Sequence, residues 1–580
     1  MFVAETAART VPAGRTRRRP IVLTVLLGLA ALVAAASGVG LALLWLARNP
    51  LITGWDYLSH ANAAIADAAL LRAHDWGALR DEFFLFDRWE PPGVRLLGIP
   101  IALLFWPSAL TALRLSATAC FVLTTAVLFA GLRRVAGAAG AAVAVLAVAL
   151  APVNITGAQN FMTEQVLLPC AAVVIAMLAA ELHAGATPVP AAPSLPRLTV
   201  LGLALGWGAL TKLTFLPTLA VPWLGVAAWL WWRRRDGAAL GLRLLLPGAL
   251  LLLVAWPAYA LNLPRYLAYA HASADGFGFP IWPERGLAFA RRLVESLIGD
   301  VFGPAGLLVL VVGAVLLAVS WRRLAPPARL LATLCIVGSL PTLLAFCVSR
   351  NQTDRYLALD TLLLGTAAGI GVGAALRQRV ALARAGAALL VLGAAAELAA
   401  AWAIAFGRPA ASPLLSGLAY ASTRSNYACD DGALARLTPP RDGPVRIGIF
   451  GETQGVNPND LTYGYRRAGV PAYVVQFSNS SSDGIDWAPI LAEAAQVDYV
   501  IEPVLVEGWY AGIATNRARD DFLARLPTVV AVEPLGEVST GPVPQCAVRL
   551  FAVHPLPGSA PPRRPPLRPD TFIPGWSAGL

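Results

Sequence analysis

Runs of about 20 apolar residues recur along roughly the first 405 positions of this chain, the length a helix needs to cross a hydrocarbon core of about 30 Å. In lipid every backbone N–H and C=O must find its partner within the protein, which leaves helices or a closed barrel. The runs are long and lack strand alternation, so helices are expected. With 57% hydrophobic and only 14% charged residues in 580, and a mean hydropathy of +0.63, lipid must be the solvent of most of the chain. The expected spans lie near 21–47, 110–132, 136–153, 165–182, 198–214, 216–232, 241–262, 304–320, 328–348, 356–375 and 385–406. The first, preceded by basic residues, is too long for a typical cleavable signal and is read as an anchor.

The formal net charge of +11 does not point to nucleic acid, because the arginines are gathered in short clusters between apolar runs. These are Arg15–Arg19, Arg133 and Arg134, Arg233–Arg235 with Arg243, Arg322 and Arg323 with Arg329, and Arg377, Arg379 and Arg384. Placing each cluster on the cytoplasmic side makes every other loop external and uses all the spans. The expected protein is therefore multi-pass in the cell (inner) membrane, with a cytoplasmic N-terminus and a periplasmic or external C-terminal region.

Residues 1–20 form a basic cytoplasmic tail, 21–406 the membrane domain, 407–555 an external α/β domain and 556–580 a proline-rich end. External segments are 48–109, 263–303 and the tail; the cytoplasmic stretch 183–197 reads as a linker. Surface helices are expected over 54–72, 93–107 and 284–298. The tail alternates short β-like runs (445–450, 472–477, 497–503, 528–534, 546–551) with helical stretches, the pattern of a small parallel or mixed sheet. It has no phosphate loop and no GxGxxG, so no nucleotide is assigned. Cys120, Cys170, Cys335 and Cys347 fall in apolar spans, where a thiol is a small hydrophobe. Cys429 and Cys546 fall in the tail, which faces an oxidising compartment in this topology, and a disulfide between them is expected.

The loop residues with chemical potential come in a fixed order: Asp56 in GWDYLSH, FDRWEPPGVRLLG from Phe86 to Gly98, Glu164 in NFMTEQVLLP, Lys212 in WGALTKLTFLP, and Arg350, Arg355 and Tyr356 in SRNQTDRYLAL. Lys212 is the one lysine among 45 Lys plus Arg. An acid just after the first span, a proline pair leading into an apolar helix, and later polar loops together resemble membrane glycosyltransferases of the protein O-mannosyltransferase and lipid A aminoarabinose transferase type (family 39-like). These belong to the glycosyltransferase-C superfamily, and the resemblance spans about residues 20–405. It implies an α-helical polytopic fold and transfer of a sugar from a polyprenyl-phosphate carrier to a glycan, lipid or protein acceptor. Three positions depart from the pattern. Glu90 stands where the families have a cation or histidine before the proline pair, Tyr57 where a second acid is common, and Glu164 where aspartate is commoner. Arg95 falls where the mannosyltransferases have a lysine.

The chemistry fits such residues, since a carboxylate can take the acceptor proton while cations neutralise the departing phosphate. Asp56 is the expected base and Glu164 its partner. Arg95, Lys212, Arg350, Arg355 and Tyr356 are expected at the donor phosphate, and Asp87, Glu90 and His60 near the acceptor. His60 lies four residues after Asp56, but no further ligand stands at a metal-binding spacing, so no metal is assigned; divalent metal dependence and any cofactor stay open. The rival reading is a transporter or flippase for a lipid-linked or envelope substrate, although such proteins place ionisable groups near the midplane, often in two related halves. A non-catalytic assembly protein with a partner-binding tail is a further alternative.

Overall fold

The computed structural model describes residues 18–49, 55–81, 90–106, 108–186, 192–234, 238–274, 284–349, 351–410, 412–415, 417–418, 429, 431–441, 443–453, 456–477, 485–506, 514–541 and 546–558. The protein is an α-helical polytopic membrane protein with a C-terminal α/β domain. Helix α1 (Arg18–Arg48) leads to α2 (Trp55–Arg72), the short α3 (Trp76–Asp81) and α4 (Gly93–Leu104). The bundle continues through α5 (Ala109–Leu132), α6 (Gly137–Ala149), the one-turn α7 (Pro152–Gly157) and α8 (Thr163–Gly185). Next come α9 (Leu195–Thr211), α10 (Phe215–Arg234), α11 (Ala238–Ala274) and α12 (Leu287–Ser296). Helices α13 (Pro304–Ser320), α14 (Pro326–Val348), α15 (Ala358–Arg377) and α16 (Ala381–Ala405) complete it.

Each of the eleven expected spans coincides with a helix, and nine helices among the described residues are long and apolar enough to cross a membrane. The other two, α6 and α9, are shorter apolar helices. Helix α6 can be short because it lies at the bundle centre: every residue from Gly140 to Ala149 is buried. Its neighbour α15 approaches with almost no side chain between the backbones. A Cβ on Gly369 would collide with the Gly140 carbonyl, and one on Gly373 with the Ala136 carbonyl. Small residues at such crossings are how helices pack where lipid removes the hydrophobic drive to associate.

The stretches 54–72, 93–107 and 284–298, expected as surface helices, form α2, α4 and α12, but α2 does not lie open on a surface: Leu58, Ala61, Ala64, Asp67, Ala68 and Leu70 are all buried. Helices α2 and α4 share a core of Leu58, Ala61, Ala64, Ala68, Val94 and Ala102, against which Phe161 and Tyr463 also pack.

The tail folds as expected into a mixed five-stranded sheet of order β2-β1-β3-β5-β4, built from β1 (Val445–Ile449), β2 (Ala472–Gln476), β3 (Tyr499–Pro503), β4 (Val530–Ser539) and β5 (Ala547–Pro555). Strand β1 pairs in parallel with β2 and β3, while β5 runs antiparallel to β3 and β4. Parallel β1 and β2 need a crossover, supplied by helix α17 (Pro458–Arg467). Alternation of side chains across the strands gives the sheet a separate apolar cluster on each face. Cys429 and Cys546 are joined in a disulfide, Cα to Cα 5.3 Å. Helix α17 seats the tail on the first loop: Asn62 of α2 donates its Nδ2 to the Asn459 carbonyl at 3.1 Å.

Candidate active site

Glu164 opens α8, in the first turn, where the unpaired N–H groups of a helix favour a carboxylate. The chain before it is extended at Met162, and Phe161 inserts into the first-loop core, so the carboxylate is carried inward and is only 5% exposed. Lys212 sits where α9 ends. Its backbone is extended, with φ −158° and ψ 138°, and α10 begins three residues on at Phe215. This break in an otherwise apolar segment brings the lone lysine to Glu164: Nζ lies 2.5 Å from Oε1.

Arg355 and Tyr356 belong to a short 3-10 turn, Asp354–Leu357, just before α15. The Arg355 Nε is 3.8 Å from Glu164 Oε1, and its Nη1 reaches the Met162 sulfur at 3.7 Å. Tyr356 joins the two cations. Its ring centroid lies 4.2 Å from Lys212 Nζ and 5.5 Å from the Arg355 guanidinium carbon, cation–π distances for both. The Tyr356 hydroxyl accepts from Asn351 Nδ2 at 3.0 Å and lies 3.4 Å from Ser273 Oγ. Thr163 Oγ1 donates to the other Glu164 oxygen at 2.9 Å. One acid, two cations and a phenol thus converge from three helix ends separated by up to 192 positions in sequence. The donors on Lys212 and Arg355 are of the kind that bind phosphate oxygens.

The remaining candidates go elsewhere. Arg95, expected at the donor phosphate, is 2% exposed, and its Nε and Nη2 both donate to Asp67 of α2. Its fork is filled from within the chain, and the pair ties α4 to α2 as a strut. Glu90 pairs with His60, Oε2 to Nε2 3.4 Å, which links the proline-pair end of the loop to α2 and gives His60 a partner other than a metal. Asp56 lies on the first turn of α2, but its side chain is outside the described residues, as are Asp87 and Arg350. Among the described residues no group of three or more His, Cys, Asp or Glu could hold a metal ion.

Asn351 and Ser273, which contact Tyr356, and Asp67, which holds Arg95 away from the cluster, were not singled out in the sequence. Asn351 lies within the polar loop already singled out, and Asp67 is a lone acid in an Ala- and Leu-rich helix, a signal that it is buried and paired. Ser273 lies in the last turn of the apolar α11 and carries no comparable mark.

No protein-family model matches the chain, and no curated protein matches it in sequence. Solved structures do match. ArnT from Cupriavidus metallidurans bound to undecaprenyl phosphate aligns with a TM-score of 0.52 at 16% identity, over 92% of this chain and 98% of that one. The same protein in its apo state gives 0.53 and 15%, over 88% and 96%. The apo oligosaccharyltransferase of Archaeoglobus fulgidus gives 0.46 and 12%, over 84% and 70%. The fold of this chain is like that of ArnT over nearly the whole length of both chains.

Proposed function

We propose that the protein is a membrane glycosyltransferase that moves a sugar from a polyprenyl-phosphate carrier to an acceptor at the non-cytoplasmic face. The observation that carries this reading is the meeting of Glu164, Lys212, Arg355 and Tyr356 at one point, in a fold shared with a protein solved bound to undecaprenyl phosphate. The arginine clusters at Arg133, Arg322 and Arg377 lie at the helix ends opposite the first loop, which supports the non-cytoplasmic assignment.

In the reaction the bond between the anomeric carbon and the phosphate oxygen breaks as an acceptor oxygen bonds to that carbon. The acceptor proton passes to a carboxylate, and the carrier leaves as its phosphate anion. Asp56, at the head of α2, is the proposed base. Lys212 and Arg355 hold the phosphate through both states, aided by Arg350, and stabilise it most as its charge grows. Glu164, enclosed by cations, is assigned a holding role: it keeps Lys212 and Arg355 aligned until phosphate oxygens compete for them. This revises its expected part as second base. Tyr356 supplies an aromatic face that fixes both cations without neutralising them.

The test is purified protein in lipid nanodiscs with a panel of polyprenyl-phosphate sugars, read as release of carrier phosphate. Lys212→Ala and Arg355→Ala are expected to raise KM for the donor. Asp56→Asn is expected to cut kcat by about 10²–10⁴-fold, the range for loss of a general base, with donor binding retained. Release unchanged in Asp56→Asn would remove the base assignment, and no release with any donor would remove the transferase.

A further inference from the structure

Arg114 has no part in the cluster above, yet it is a buried cation with two of its three nitrogens unused. It lies on the second turn of α5 and is 4% exposed. Its Nη1 donates to the Asn49 carbonyl at the end of α1, at 2.9 Å, and its guanidinium carbon stands 5.3 Å from the Trp45 ring centroid. Tyr463 of α17 comes near from the tail: its ring packs into the first-loop core, and its hydroxyl is within electrostatic reach of Arg114 and Arg467. Among the described residues, Arg114 Nε and Nη2 have no acceptor.

Those two atoms form the side-on edge of the guanidinium, whose parallel N–H bonds match the two oxygens of a carboxylate or phosphate. Arg95 shows the same edge filled, with Nε and Nη2 both donating to Asp67. Leaving such donors buried and unused costs free energy, and a buried cation without a counter-ion costs more. An anion on this edge removes both costs. We propose that the Arg114 edge is a binding site for a two-oxygen anion, phosphate or carboxylate, carried by the acceptor and received where the end of α1, the start of α5 and the tail meet. Naming the acceptor as the source rests on the proposed transferase reading; the anion site does not. The donor-phosphate cations come from different elements, the break after α9 and the turn before α15, whereas Arg114 of α5 is held against the end of α1.

The probe is inorganic phosphate, with acetate in parallel, titrated into full-length protein in phosphatidylcholine nanodiscs already saturated with undecaprenyl phosphate. A ligand that binds only the folded state raises Tm. The expected result is a further, saturable rise in wild type that is absent in Arg114→Gln, while the rise due to undecaprenyl phosphate is kept in that variant and shows that it folds. Arg114→Lys keeps the charge without the fork and is expected to weaken apparent phosphate affinity by roughly tenfold; it carries the test should Arg114→Gln not fold. A rise of equal size in Arg114→Gln, or none in wild type with either anion, overturns the proposal. Discs containing phosphatidylglycerol separate the sources: an Arg114-dependent rise with that lipid alone places the anion on a bilayer headgroup and overturns its assignment to the acceptor. Failure of undecaprenyl phosphate to raise Tm counts against the transferase reading and leaves the inorganic phosphate arm readable.

Discussion

Arg95 shows how much a residue's role depends on its partner. From its place after the proline pair it was expected at the donor phosphate, yet Asp67 takes both donors of its fork, with both side chains buried. Removing one member of such a pair leaves an uncompensated charge, whereas replacing both by apolar groups is often neutral or stabilising. Asp67→Asn is therefore expected to destabilise the protein by about 3–5 kcal/mol, read as a fall in Tm. The double variant Asp67→Leu with Arg95→Met is expected to recover most of that loss and to retain binding of undecaprenyl phosphate. Loss of that binding in a stable double variant would return Arg95 to the phosphate site. His60 and Glu90 repeat the lesson: Glu90, expected near the acceptor, is matched by a histidine of α2.

At the scale of elements, the apolar runs predict the helices closely because each run carries its own instruction, namely to bury its length in lipid and satisfy its backbone internally. What each helix touches is decided by finer features. Helices α6 and α15 meet through Gly140, Gly365, Gly369 and Gly373, whose missing Cβ atoms let the backbones approach. Gly369→Val would push a branched side chain into the Gly140 carbonyl, so it is expected to lower stability by about 3 kcal/mol or more, at or beyond the upper end of ordinary overpacking. Gly28 is the control, for a Cβ there meets nothing within 4 Å; Gly28→Ala is expected to be neutral or to stabilise α1 by up to about 1 kcal/mol. Tm of the two purified variants distinguishes these outcomes.

Across the whole molecule, the tail is a folded unit held both covalently and by docking. Its disulfide closes a loop of 117 positions, and α17 rests on α2 through Asn459 and Tyr463. A cross-link over a loop of that length stabilises by on the order of 4–5 kcal/mol in the chain-entropy picture. Cys546→Ser is therefore expected to make the tail much more susceptible to limited proteolysis while the bundle stays protected. Equal protection of the tail in both proteins would show that docking and the sheet's own core hold it unaided. The five-stranded sheet and its disulfide partners were legible before the structure because alternating strands and a cysteine pair in one compartment are local or countable signals. The docking of α17 was not, since Tyr463 is one aromatic residue on a short polar helix and its seat is built by other segments.

The order of elements, the membrane as solvent and the short list of ionisable residues follow from the sequence by itself, because burial of apolar length and the cost of placing charge in lipid act on each segment separately. Which charges meet was decided by the tertiary structure. Lys212 and Arg355 turn to Glu164, Arg95 turns to Asp67, and Arg114 keeps an edge unspent. Pairing is a matter of a few ångströms between helix ends far apart in the chain, and only the packing of the bundle sets those distances.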